Sequence, residues 1–142
     1  MSQYQTRLDI GDYIIVQDTE DYAFSQDSVI LANLASLSKT DNVLDLGCGT
    51  GILATLAIVK KGVAHAVGID VQEHACDLAR KSTQINGLQD KLEIVNGDVR
   101  DAKNLVKAES FDKVLCNPPY FTSGASDKAK GVSRTQSSAD IG

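Results

Sequence analysis

Positive charge is in short supply: Lys and Arg number 14 against 19 Asp and Glu, which leaves a net charge of −5. That balance argues against a surface built to hold many phosphates, so any grip on nucleic acid has to come from a local patch or from outside these residues. Long apolar runs are missing too. The longest uncharged one, residues 52–59, is far too short to cross a bilayer and stops at Lys60 and Lys61, so no membrane is expected. The three cysteines, Cys48, Cys76 and Cys116, form no CxxC pair and are odd in number. They read as reduced cytosolic thiols, not as a disulfide frame or a zinc site. Neither His65 nor His74 has a metal-ligand companion at useful spacing, so no metal is expected. Residues 1–7 are polar and lack the apolar core of a signal peptide, and the expected location is the cytoplasm.

The 142 residues allow one domain with a modest core, and a hydrophobic content of 42% makes an ordered chain the expectation. Residues 8–17 carry Leu8, Ile10, Tyr13, Ile14, Ile15 and Val16 around a Gly11-Asp12 turn signal, which predicts a short hairpin. Ser25 or Asp27 can cap a helix bearing Val29, Ile30, Leu34 and Leu37. From there strands and helices alternate. Short apolar strands are predicted over 42–46, 64–69, 92–95 and 112–116. Helices are predicted over 52–61, stopped by Gly62, over 72–86, stopped by Gly87, and over 102–107. In the second of these, Ala75, Leu78, Ala79, Ser82 and Ile85 are expected to face the core. Such alternation predicts an α/β, Rossmann-like fold: a parallel sheet of about four core strands with helices on both faces and right-handed crossovers. Four parallel strands with an open edge make an unfinished sheet, and the chain reads as truncated at its C-terminus. From residue 122 the composition turns to Ser, Gly, Lys, Asp and Ala without an apolar period. Residues 1–121 are therefore expected to form the domain and 122–142 a flexible tail or loop.

Each predicted strand ends in a group that can hold a ligand, and an open parallel sheet binds its ligands at those ends. The first runs Asp45-Leu46-Gly47-Cys48-Gly49-Thr50-Gly51. Its glycines leave no side chain between backbone and ligand, and the helix start that follows favours a carboxylate. Asp45 can meet a cation. The zwitterionic amino-acid part of S-adenosyl-L-methionine satisfies both ends, although the same loop also suits a tight turn packing helix on strand. Its GxGxG spacing differs from the GxGxxG of dinucleotide binders. Asp70, about 20 residues on, can accept both hydroxyls of a ribose or cap the helix that follows it. Gly97-Asp98 can take an adenine amino group or form a simple turn.

Asn117-Pro118-Pro119-Tyr120 is the most specific feature. An amino group conjugated to a flat π system is a poor nucleophile, because its lone pair is delocalised. The Asn117 side-chain oxygen and the Pro118 carbonyl, set against its two N–H bonds, would hold it and favour a pyramidal nitrogen. That complementarity strengthens in the transition state. The prolines withhold backbone donors, so the loop presents acceptors, and Tyr120 can stack on the flat group. A proline-rich turn accounts for Pro118 and Pro119 but not for Asn117 and Tyr120 on either side.

With these four groups in order, the sequence resembles the class I S-adenosylmethionine-dependent methyltransferases, and Asn-Pro-Pro-Tyr sets the resemblance among the amino-methyltransferases. It covers about residues 24–120. The resemblance implies a Rossmann-like methyltransferase fold and S-adenosyl-L-methionine as cofactor. It also implies roles by position: Asp45, Gly47, Gly49 and Gly51 in the cofactor loop, Asp70 at the ribose, and Asp98 with Val99 near the cofactor adenine. Asn117, Pro118 and Tyr120 match the target-amine site, with Asn117 also touching the cofactor. Phe24 and Asp27, in Phe24-Ser25-Gln26-Asp27, match the segment that closes over the methionine part.

More narrowly, the hairpin, Phe-Ser-Gln-Asp-Ser-Val-Ile-Leu-Ala, and Asn-Pro-Pro-Tyr-Phe followed by Ser and Gly resemble the tRNA (adenine-N6)-methyltransferases that modify an adenine beside the anticodon of a valine tRNA. This implies a tRNA partner and methyl transfer to an exocyclic N6 amine. Protein glutamine-N5 methyltransferases share Asn-Pro-Pro-Tyr, which leaves a protein amide as the alternative, beside a cofactor-binding fragment without turnover. In-line methyl transfer requires no nucleophilic side chain, so Cys48 and Cys116 are expected to be bystanders. Family members continue through more strands and helices than this chain has.

Overall fold

An exposed strand needs no apolar residues, and the first element illustrates it. In the computed structural model, which describes residues 3–18, 26–106 and 110–116, β1 (Gln3–Arg7) pairs antiparallel with β2 (Ile14–Asp18). The hairpin was expected over residues 8–17, but its first strand lies earlier, in the polar Gln-Tyr-Gln-Thr-Arg. Of the two strands only β2 is buried, with Ile15 and Val16 in the interior.

Helix α1 (Gln26–Leu34) buries Leu31 and Ala32. Val29 packs against the core, whereas Ile30 is 49% and Leu34 78% exposed. Leu37 lies beyond the helix end and still packs on the core.

The rest follows the predicted alternation: β3 (Asn42–Leu46), α2 (Ile52–Val59), β4 (His65–Asp70), α3 (Glu73–Ile85), β5 (Leu92–Asn96), a 3-10 turn (Val99–Asp101), α4 (Ala102–Leu105) and β6 (Lys113–Cys116). The four later strands form one parallel sheet in the order β5-β4-β3-β6. Chain order runs outward from β3 to β5 and then reverses to the other side of β3. The crevice that such a reversal opens therefore lies at the carboxyl end of β3.

Period-two alternation divides the core. Val43, Ala66, Leu92, Ile94 and Leu115 face α2 and α3, whereas Leu44, Val67, Ile69 and Val114 face Ala102 and Phe111 on the other side. Asp45 and Asp70 keep the parity of Val43 and Ala66, so both carboxyls emerge on the α2–α3 side.

Within α3, Ala75, Leu78, Ala79 and Ser82 are buried as expected, but Ile85 is 55% exposed and Thr83 takes an inward place. Both buried hydroxyls are satisfied within the helix. Ser82 Oγ donates to the Leu78 carbonyl at 3.1 Å and Thr83 Oγ1 to that of Ala79 at 2.8 Å.

The hairpin docks on α3 through His74, Ser82 and Asn86, which lie eight and four residues apart along one side. Asn86, just past the helix, accepts the Ile14 N–H at 2.9 Å and donates to the Ile14 carbonyl at 2.8 Å. Ser82 Oγ accepts the Val16 N–H at 2.7 Å, and His74 Nε2 lies 3.1 Å from Asp18 Oδ2. Ser82 and Asn86 thus stand where a neighbouring strand would otherwise satisfy the backbone of β2. Phe24, Ser25, residues 107–109, Asn117 to Tyr120 and the segment 121–142 lie outside the described residues.

Candidate functional site

Asp45 stands at the end of the central strand, 1% exposed. It accepts a hydrogen bond from the Ala54 backbone in the first turn of α2. Among the described residues, its Oδ2 is the one buried side-chain oxygen or nitrogen without a partner. Burial first, and the nearby charge of Asp70 second, push this carboxyl up to about 8, against the opposing pull of the Ala54 N–H. A group in that state ionises readily only when a cation arrives beside it.

The glycine loop folds back onto β4. Gly47 and Cys48 both donate to the Ile69 carbonyl, at 2.7 and 3.0 Å, and the Gly49 N–H donates to Asp70 Oδ2 at 2.8 Å. Gly49 has φ +55° and Gly51 φ +88°, a region where a side chain is strained. A Cβ on Gly51 would also come within 3.3 Å of the Ala79 Cβ, so this glycine lets α2 and α3 approach. No side chain caps α2, whose N-cap is Gly51 itself. Cys48 is buried over Gly68 in β4, where an added Cβ would meet its sulfur at 2.8 Å. Burial, then the charges of Asp45 and Asp70, push its thiol well above the ordinary range, which suits a packing role.

Asp70 closes β4 with both oxygens in use. Oδ2 takes the Gly49 N–H, and Oδ1 takes the Gln72 N–H ahead of α3 at 2.8 Å. That bond lies ahead of α3, whose N-cap is Gln72 without a side-chain cap, so Asp70 shapes the entry to the helix but does not cap it. A carboxylate oxygen has a second acceptor site, which leaves Asp70 able to accept a hydroxyl as well. The Asp70 carbonyl is gripped from β5: Gly97 N–H donates at 2.9 Å and Asn96 Nδ2 at 3.0 Å, with Asn96 also reaching the Val71 carbonyl at 3.2 Å.

Asp98 opens the 3-10 turn, accepting the Arg100 N–H at 2.9 Å. The Arg100 guanidinium forks onto the same carboxylate, and this bonding holds Asp98 down to about 2. Val99 beside it is 39% exposed, and Val71, next to Asp70, is 63% exposed. Two large apolar side chains thus stand in solvent beside the β4 and β5 acids, suited to a flat ring. Val71 was not singled out from the sequence. Its signal was an apolar residue directly after a strand-end acid.

Hydrogen bonds therefore link the glycine loop after Asp45 with Asp70, Asn96 and Gly97, and Asp98 follows Gly97 directly in the chain. Asp27 lies in the first turn of α1, which packs against α2. Phe24, Asn117, Pro118 and Tyr120 lie outside the described residues, but β6 ends at Cys116, paired in register with Leu46. The motif thus begins, in sequence, one residue beyond the level at which the glycine loop leaves β3. A groove of about 220 Å³ between α3 and β5, bounded by Arg80, Gln84 and Leu92, lies toward the amino end of β5, away from these acids. Among the described residues no three His, Cys, Asp or Glu gather as metal ligands, and no helix is long and apolar enough to cross a membrane.

Sheet order and strand-end acids define a class: an open parallel α/β domain arranged to hold a nucleoside at its carboxyl edge. Within that class, the chain belongs to the methyltransferase small domain family, which matches residues 21–137. A curated relative from Shewanella amazonensis, a tRNA1(Val) (adenine(37)-N6)-methyltransferase, is 31% identical over 118 residues, covering 83% of this chain and 50% of that protein. A protein of the same name from Aliivibrio salmonicida is 28% identical over 70% of this chain and 42% of its own length. The chain spans about half the length of the curated relatives it matches. Among solved structures, the tRNA m1G37 methyltransferase of M. jannaschii superposes with a TM-score of 0.62 at 26% identity, over 88% of this chain and 38% of that one. An RNA methyltransferase of Salinibacter ruber, in complex with S-adenosyl-L-homocysteine, shares the fold with a TM-score of 0.57 at 24% identity, over 66% of this chain and 58% of that one.

Proposed function

We propose that the chain forms the cofactor-binding part of an S-adenosyl-L-methionine-dependent N-methyltransferase that acts on the exocyclic N6 amine of an adenine in tRNA. The observation that carries this reading is Asp45: a buried carboxyl with one oxygen bonded and the other unpartnered, in a loop braced by Asp70. An ammonium is what that oxygen lacks. The residues fit the cofactor part by part. Asp45 suits its ammonium, the uncapped start of α2 beside Gly47, Gly49 and Gly51 its carboxylate, Asp70 its ribose, and Asp98 with Val99 its adenine. Phe24 and Asp27 are assigned to closure over the methionine end.

Bound there, the cofactor supplies an electrophilic sulfonium methyl. The chain's own residues bind and orient. In this reading the Asn117 side-chain oxygen and the Pro118 carbonyl accept the two N–H bonds of the target amine, and Tyr120 stacks on its ring. The names of the curated relatives support tRNA as the substrate, and such a substrate suits the cytoplasmic location expected from the sequence.

Two measurements test the proposal. Calorimetry with S-adenosyl-L-homocysteine on this chain is expected to show binding, and its absence would remove the foundation. Radiolabelled methyl transfer, run on the longest polypeptide the gene encodes, is expected to label total tRNA and to yield N6-methyladenosine on digestion. Label confined to protein, such as a release factor, would reject tRNA as the substrate.

A further inference from the structure

The Asp98 carboxylate is more fully engaged than a simple turn requires. Besides the Arg100 N–H on Oδ1, Arg100 Nε lies 3.1 Å from both oxygens and Nη2 lies 2.6 Å from Oδ2. Arg100 is two residues away and its side chain is 86% exposed, so nothing in the core demands this fork. Three hydrogens from one residue thus occupy a carboxylate that offers about four acceptor sites. What remains is a direction for about one more donor. The turn itself is fixed from behind, because Gly97 donates to the Asp70 carbonyl and a Cβ on Gly97 would meet Leu105 at 2.6 Å.

We propose that Arg100 is a positioning residue for cofactor recognition: its guanidinium locks the Asp98 carboxylate so that the remaining acceptor site is presented to the exocyclic amino group of the cofactor's adenine. The proposal rests on the cofactor reading above and goes beyond it in making selectivity for an amino-bearing purine depend on a residue that does not touch the ring. A planar fork fixes the carboxylate's rotation, which a Lys ammonium in the same place does not.

The test compares two ligands that differ only at the purine 6-position: S-adenosyl-L-homocysteine, with an amino group, and S-inosyl-L-homocysteine, with an oxo group. The chain is expected to prefer the adenosyl compound. In Arg100→Ala that preference should shrink by roughly twofold to fivefold, the range that exposed ion pairs deliver, through weaker adenosyl binding with inosyl binding unchanged. Arg100→Lys, which keeps charge without the fork, should fall between the two. An unchanged ratio in Arg100→Ala would overturn the role given to Arg100, and so would tighter adenosyl binding, which would make Arg100 a competitor for the same oxygens. Absence of binding of either compound to the parent chain would instead overturn the cofactor reading, and this inference with it. A general loss of fold would weaken both ligands equally and leave the ratio where it was, which also counts against a positioning role.

Discussion

At the scale of single residues, Asp45 faces opposite demands with and without a cation beside it. Alone it is a buried acid raised from 3.8 to about 8, so the folded chain holds a proton that the unfolded chain has already released between those values. Its contribution to stability is therefore largest below about pH 4 and declines as pH rises to about 8, by something on the order of a few kcal/mol. Asp45→Asn, which keeps an acceptor for the Ala54 N–H, should flatten that decline in urea midpoints measured from pH 5 to 8. A bound ammonium reverses the preference and ionises the acid. At pH 7, calorimetry of S-adenosyl-L-homocysteine in buffers of different ionisation enthalpy should show nearly one proton released by the parent and none by Asp45→Asn.

Asn117 belongs at the same scale. In the reading proposed here it acts on the amine in the transition state, so Asn117→Ala should lower methyl transfer about 100-fold or more while cofactor affinity changes little. Single-turnover assays beside equilibrium binding separate the two, and equal transfer rates would refute the role.

At the scale of elements, the attachment of the hairpin to α3 is a small set of polar bonds. Removing the Asn86 amide leaves the Ile14 N–H and carbonyl without their partner. Asn86→Ala should destabilise the chain by about 1–3 kcal/mol, seen as a lower Tm, with faster hydrogen exchange of the Ile14 amide than of amides in β3.

Elements also show what the sequence made legible. β3 and β4 are buried on both faces, so they read as apolar runs between glycine-rich turns, and their observed ends match within a residue. β1 did not read, because it is an exposed strand held by its partner and not by burial. Faces of helices were less clear. A periodic pattern locates apolar residues but not the neighbour they meet, so Ile85, expected to face the core, stands 55% exposed. Thr83, which was not assigned inward, is buried because its hydroxyl bonds to the preceding turn, a solution that hydrophobicity does not report.

At the scale of the whole molecule, the site acids lie far apart in sequence and only the order β5-β4-β3-β6 gathers their strand ends. Their spacing was legible because each followed an apolar run. The bracing of Gly49 by Asp70 and the fork of Arg100 on Asp98 were not, since both are matters of side-chain direction. Charge matters at this scale too. With a net charge of −5, the chain should contact few phosphates, so under the tRNA reading proposed above its binding should weaken only shallowly with salt. A plot of log K against log salt is expected to be no steeper than about −3, corresponding to roughly three phosphates. A slope near −8 would mean that a basic surface has gone unrecognised.

The row formed by His74, Ser82 and Asn86 carries a consequence for how such a chain can vary. The rungs lie eight and four residues apart, close to two turns and one turn, so the hairpin counts α3 in turns. One extra residue inside the helix would swing the rungs beyond it through about 100° and leave Ile14 and Val16 facing the wrong side chains. Length changes that spare the hairpin must therefore fall in the connections at either end of α3, and relatives that differ in the helix itself must re-anchor their first two strands in another way.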